Sequence, residues 1–195
     1  MAKKALPTQD RLRAVIDEVK SQTDRGTAVV AAALLEELLQ HAVLDRLIEL
    51  SSERREALFD RNGAPLSTFS AKIEMSFALG VINNDARLAL HVIRDIRNIF
   101  AHSIDPISFD DPEVASIIDN RSSKGVKAMA DNRRNKFINS FGAIAVVLFS
   151  TLAADTRIKP LEETHRTHFL EMYRHGQEVA AAVIREALAN NTHSQ

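Results

Sequence analysis

The chain has 195 residues, 45% apolar and 26% charged, with a formal net charge of −1 and no cysteine. A chain of that length is one domain, or at most two small ones, and can bury a core without covalent staples. The charge gives no global attraction to nucleic acid, and the missing thiols exclude disulfides, thiolate catalysis and cysteine-bound zinc.

Glycine (6) and proline (5) are scarce, there is no tryptophan, and Phe outnumbers Tyr nine to one. Alanine, leucine, glutamate and arginine dominate, and these favour helix over strand. No alternating pattern persists for more than a few residues, so the expected fold is all-α, a single-domain helical bundle over residues 1–195. The N-terminus, MAKKALPTQD, lacks the apolar core of a secretory leader, which makes a cytoplasmic location the expectation.

In chain order, a first helix is predicted from near Pro7, with Leu12, Val15, Ile16 and Val19 as its apolar positions. A long second helix is predicted from Asp24 to Leu50. Leu34, Leu35, Leu38, Leu39 and Ala42 form its stripe, and a phase jump at Leu44, Leu47 and Ile48 implies a kink or burial on several sides. A short helix follows at Ser52–Phe59, then a loop, RNGAPLSTFS, by its turn residues. Ser67 or Thr68 can cap the next helix, which carries Phe69, Ile73, Phe77 and Val81 at core spacing and stops at Gly80. Asn83 or Asn84 opens a helix reaching His102, with Leu88, Val92, Ile96, Ile99 and Phe100 as its buried stripe. Asp111 with Pro112 starts a short helix through about Ile118. Residues 120–131 are the least structured by composition. Two long helices, about 132–154 and 162–189, finish the chain. The most apolar run, FGAIAVVLFSTLAA, is short for a membrane span, which takes about 20 residues, and reads as a buried central helix.

The segment RDIRNIFAHS carries the most chemistry. Arg97 and His102 are five positions apart, about 140° around a continuous helix, so they do not share a face. Asn98 and His102 are i, i+4 neighbours. If the three groups converge, through fraying after Phe100 or across a two-fold axis, they suit metal-independent RNA cleavage. His102 would move protons, Arg97 would grip the phosphate and Asn98 would orient one of them. The competing reading is structural, because a cationic histidine is favoured beside the carbonyls of a helix C-terminus.

The stretch FSAKIEMSFALGVINNDARLALHVIRDIRNIFAHS, followed by SFDDPEV, resembles the mannitol operon repressor family. The likeness is carried by the ALGVI and IRNIFAHS helix ends and the FDDPEV start, with upstream support from AAALLEELLQHAVLD. It covers roughly residues 25–120. It implies an all-α cytoplasmic protein in negative control of sugar-alcohol transport genes. No basic recognition helix of a helix-turn-helix is visible, so regulation would pass through a protein partner and self-association rather than base reading. The RNIFAH text is also similar to HEPN-type helical domains, some of which are dimeric ribonucleases. That resemblance carries over Arg97, Asn98 and His102 alone.

One basic cluster, Arg121, Lys124, Lys127, Arg133, Arg134 and Lys136, is a candidate for phosphate or nucleic-acid contact, read against a solvated loop. His168, Glu171, His175 and Glu178 share a face of the last helix at metal-ligand spacing. No second helix offers a matching pair, so neither a metal nor a cofactor is expected. His165 reads as a packed residue, and His41 and His91 as surface groups. Ala180, Ala181, Ala182, Ala187 and Ala189 would let another helix approach closely, within the bundle or across a subunit interface.

Overall fold

A computed structural model describes residues 9–121 and 132–152, and these fold as seven helices with no strand among the described residues. They are α1 (Gln9–Ser21), α2 (Asp24–Arg46), α3 (Ser52–Phe59), α4 (Phe69–Ala78), α5 (Asn84–His102), α6 (Pro112–Arg121) and α7 (Arg133–Leu152). All lie in the first of two units into which the chain divides, Met1–Ile158. The expected helix over about 162–189, with its histidine, glutamate and alanine stripes, and residues 122–131 lie outside the described residues.

Local chemistry sets the helix ends. Thr23, Ser51, Thr68 and Asn83 each accept the amide three residues ahead, satisfying one of the orphan donors of a helix start. At the end of α4, Gly80 adopts φ +66. Its amide bonds Phe77 O (3.0 Å), and the Val81 amide bonds Ser76 O (2.9 Å). This pair of bonds needs a left-handed residue after the helix, which glycine supplies without steric cost. Asp111 occupies the expected position before Pro112, but its carboxylate turns back to accept the Ser108 amide (2.6 Å) and hydroxyl (2.9 Å).

Helix α2 is the hub, packing against α1, α4, α5 and α7. Thr27, Ala28, Ala31, Ala32, Leu35, Leu39, Ala42 and Val43 are its buried residues. At 100° per residue they span about 160° of the helix surface, and the alanines among them let neighbouring backbones come close. The helix stops at Arg46 instead of Leu50, because Leu47 is extended (φ −85, ψ 163). The phase jump at Leu44 and Leu47 marks a second packing side, with Leu44 turned about 100° from Val43 around the end of α2. These two leucines leave the main core and join a smaller cluster with Val43, Phe59 and Leu66.

The main core runs through α5 and α7. Phe100, Phe109 and Phe137 stack in sequence, with ring centroids 5.0 and 5.1 Å apart. Burying each such ring stabilises the fold by about 1.5–3 kcal/mol, which ties the loop before α6 to both long helices. Two expected core residues are outside it. Phe77 is 41% exposed and lies under the Arg87 guanidinium (5.3 Å), and Leu88 is 50% exposed. The buried face of α5 is centred on Ile93, Ile96 and Phe100 with Leu90 and Val92 at its margins, so Leu88 falls about 120° from the centre. Helix α7 is longer than its apolar run, and by length and composition α2 and α7 could each cross a bilayer. In the bundle, Phe141, Ile144, Ala145, Leu148 and Leu152 of α7 face the core, while Val146 and Val147 are exposed.

Candidate functional site

The face of α5 opposite its core side carries Arg87, His91, Arg94, Asp95, Asn98 and His102 within a sector of about 100°. Helix α4 supplies partners to the first half of this stripe. Glu74 takes both its oxygens to the Arg87 Nε (3.0 and 2.9 Å) and also meets His91 Nε2 at 2.7 Å. Hydrogen bonds from Arg87, then His91, hold the Glu74 carboxyl below its usual pKa, and the Arg87 guanidinium rises in return. One turn on, Arg94 donates to Ser70 Oγ (2.8 Å) and to Asp95 (2.6 Å), while Arg121 reaches the other Asp95 oxygen (2.7 Å). Partial burial pushes the Asp95 carboxyl up, but the bonds from Arg94 and Arg121 more than offset this and leave it lowered. His91 is thus no surface group: its side chain is 16% exposed and wedged on Glu74. His41 stays at the surface, 3.7 Å from Glu37.

The second half of the stripe holds Asn98 and His102 of the sequence-predicted triad, and Arg97 lies off it. Helix α5 runs unbroken through His102, with Ser103 as its cap. The helix does not fray after Phe100, so Arg97 and His102 remain about 140° apart around one axis within a chain. Arg97 donates to Asn98 Oδ1 (3.0 Å), which joins those two residues. Among the described residues no carboxylate pairs with Arg97, and His102 is exposed.

The basic cluster divides. Arg121 is committed to Asp95, and Arg133 bonds Asp110 (2.7 Å) and Asp119 (2.8 and 3.0 Å). Those two aspartates, Asp119 first, raise the Arg133 pKa well above its ordinary value. Arg134 is the most embedded. Its Nε meets Asp24 Oδ1 (2.9 Å), and its Nη2 donates to Lys20 O, Gln22 O and Thr27 Oγ1 (3.0, 2.7 and 2.9 Å). The other Asp24 oxygen accepts the Phe109 amide (3.2 Å). Arg133 and Arg134 open α7 and are not loop residues, Lys136 is half-buried on the same helix, and Lys124 and Lys127 lie outside the described residues.

Sequence reasoning missed Glu74, Ser70 and Asp24 as partners, and also the buried pair Lys72–Glu36 (2.7 Å) between α4 and α2. Nothing in spacing could have found them, since the pairs join different helices at separations of 13 to 110 positions. No group of three or more residues suited to holding a metal occurs among the described residues.

No protein-family model matches the chain, and no curated protein matches it. Among solved structures, the chain is similar to one described as the X-ray structure of the MtlR–HPr complex from Escherichia coli, at 16% identity and a TM-score of 0.48. The alignment covers 76% of this chain and 99% of that one, a distant likeness in backbone arrangement.

Proposed function

We propose that this chain is a self-associating helical regulator of the mannitol-repressor type, controlling sugar-alcohol uptake genes by binding another protein. The observation that favours a protein partner over direct nucleic-acid contact is the internal commitment of Arg121, Arg133 and Arg134 to Asp95, Asp110, Asp119 and Asp24. Phosphate contacts gain affinity by releasing counterions. Cations already met by carboxylates must break those pairs first. The regulatory part rests on the sequence resemblance over residues 68–114, which comprise α4, α5 and the connection into α6. The test titrates the full chain with HPr, the partner named with the similar structure, and separately with duplex DNA from upstream of sugar-alcohol transport genes. The expected result is a protein complex that persists at moderate salt and no specific DNA retention. Specific DNA binding whose affinity falls steeply with salt would overturn the reading.

One observation favours a second reading, a metal-independent endoribonuclease of the HEPN type. Among the described residues Arg97 is met by a neutral amide and no carboxylate, and His102 is solvent-accessible one turn beyond Asn98. Because the pair diverges on one helix, that chemistry needs a dimer that brings the arginine of one copy to the histidine of the other. RNA cleavage that survives a chelator and vanishes in His102→Ala would support this reading. Intact RNA after prolonged incubation with the dimeric chain would remove it.

A further inference from the structure

The loop between α3 and α4 contains the sequence Asn62–Gly63, the one asparagine in the chain followed by glycine. The Ala64 amide donates to Arg61 O (2.9 Å), closing a four-residue turn with Asn62 and Gly63 at its centre. Gly63 has φ +75 while Asn62 has no positive φ, the pattern of a type II turn. The frame of this turn is firmly held. The Arg61 amide bonds Glu56 O, the Leu66 amide bonds Leu58 O, and Ser67 Oγ bonds Ala64 O. Its tip is different. Asn62 and Gly63 are both exposed, neither amide has a hydrogen bond among the described residues, and apart from its own chain neighbours no atom lies within 4 Å of where a side chain on Gly63 would begin.

We propose that Asn62 is a modification site, deamidating spontaneously through the Gly63 backbone. The Gly63 amide nitrogen gives its proton to solvent base and attacks Cγ of Asn62. The N–Cγ bond forms, the Cγ–Nδ2 bond breaks, and the nitrogen leaves as ammonia after taking a proton from solvent. Water then opens the resulting cyclic imide at either carbonyl, leaving aspartate or an isoaspartyl link. Water enters and ammonia departs, with no oxidation or reduction. Glycine permits the attack because no side chain crowds its nitrogen, and the unbonded tip lets the backbone turn into the attacking geometry without breaking the frame.

The product is a charge variant of an intact fold. A new carboxylate appears beside Arg61, whose guanidinium already lies 3.8 Å from Glu56 and 4.0 Å from Glu53. An isoaspartyl link adds one main-chain atom at an exposed tip, while Phe59 and Leu66 stay buried on either side. The test incubates the purified full chain at mildly alkaline pH, with peptide mass spectrometry and isoaspartyl methyltransferase labelling over time. Asn62 is expected to convert before any other asparagine, faster as pH rises, with unchanged far-UV circular dichroism and no labelling of that peptide in Asn62→Gln. Retention of the Asn62 amide in the native chain while the urea-unfolded chain loses it would overturn the proposal, because the folded turn would then be protective. Earlier conversion of another asparagine would overturn it equally.

Discussion

Arg134→Ala separates a structural arginine from a nucleic-acid contact. The side chain makes one charged bond to Asp24 and three to neutral oxygens, at 2.7 to 3.0 Å, joining the α1–α2 corner to the start of α7. A hydrogen bond to a charged group contributes about 1.5–3 kcal/mol net when buried. Arg134 and Asp24 are each 29% exposed, and Asp24 keeps the Phe109 amide after truncation, so solvent offsets part of the loss. Bonds made by one side chain are also not additive. The expected destabilisation is about 2–3 kcal/mol, or about 5–10 °C in Tm for a chain of this size. Arg134→Lys keeps the charge but loses the planar fork, and should fall between wild type and alanine. The assay is urea unfolding followed by far-UV circular dichroism, since the chain has no Trp and one Tyr. A loss below about 0.5 kcal/mol, typical of a free surface residue, together with weakened retention on nucleic acid, would refute the internal assignment.

Further outcomes test other parts of the fold. Ile93→Ala should cost about 2–5 kcal/mol and Leu88→Ala under about 0.5 kcal/mol in the same assay, because the first is 1% exposed and the second 50%. Ser76 Oγ is buried without a hydrogen-bond partner among the described residues, so Ser76→Ala should leave stability unchanged or raise it by about 1 kcal/mol. A clear loss would show that the hydroxyl is satisfied. Asp95 is lowered below its ordinary value of 3.8, so its contribution is complete above that pH and is lost as pH falls through the folded value. Glu74 and Asp111 are lowered too and act in the same direction. Unfolding midpoints should therefore drop on acidification below about pH 4, and Asp95→Asn, already weaker at neutral pH, should drop less steeply. An unaltered acid slope in that variant would contradict the shift.

Much of the helical map was legible because helix ends are local events. Thr68, Asn83 and Gly80 act on amides and carbonyls within a few residues, so their positions can be read directly. The lengths of α4, α5 and α6 follow from such signals to within a few residues. The end of α2 was not legible. Leu44, Leu47 and Ile48 have the composition of a continuing helix, and only the pocket made by Phe59 and Leu66 explains why the chain extends at Leu47 instead.

Within a helix, the sequence determined which residues could face inward, and the tertiary structure decided which did. Phe77 and Leu88 satisfied the 3.6-residue period, yet they are 41% and 50% exposed, and periodicity does not measure the width of the partner's surface. The polar residues show the same division. The composition of RDIRNIFAHS and of the basic cluster was plain in one dimension. Whether Arg134 met water, phosphate or Asp24 depended on helices more than a hundred positions apart being brought together. Electrostatic partners are chosen by distance in space, and a linear pattern holds that information only for neighbours along one helix.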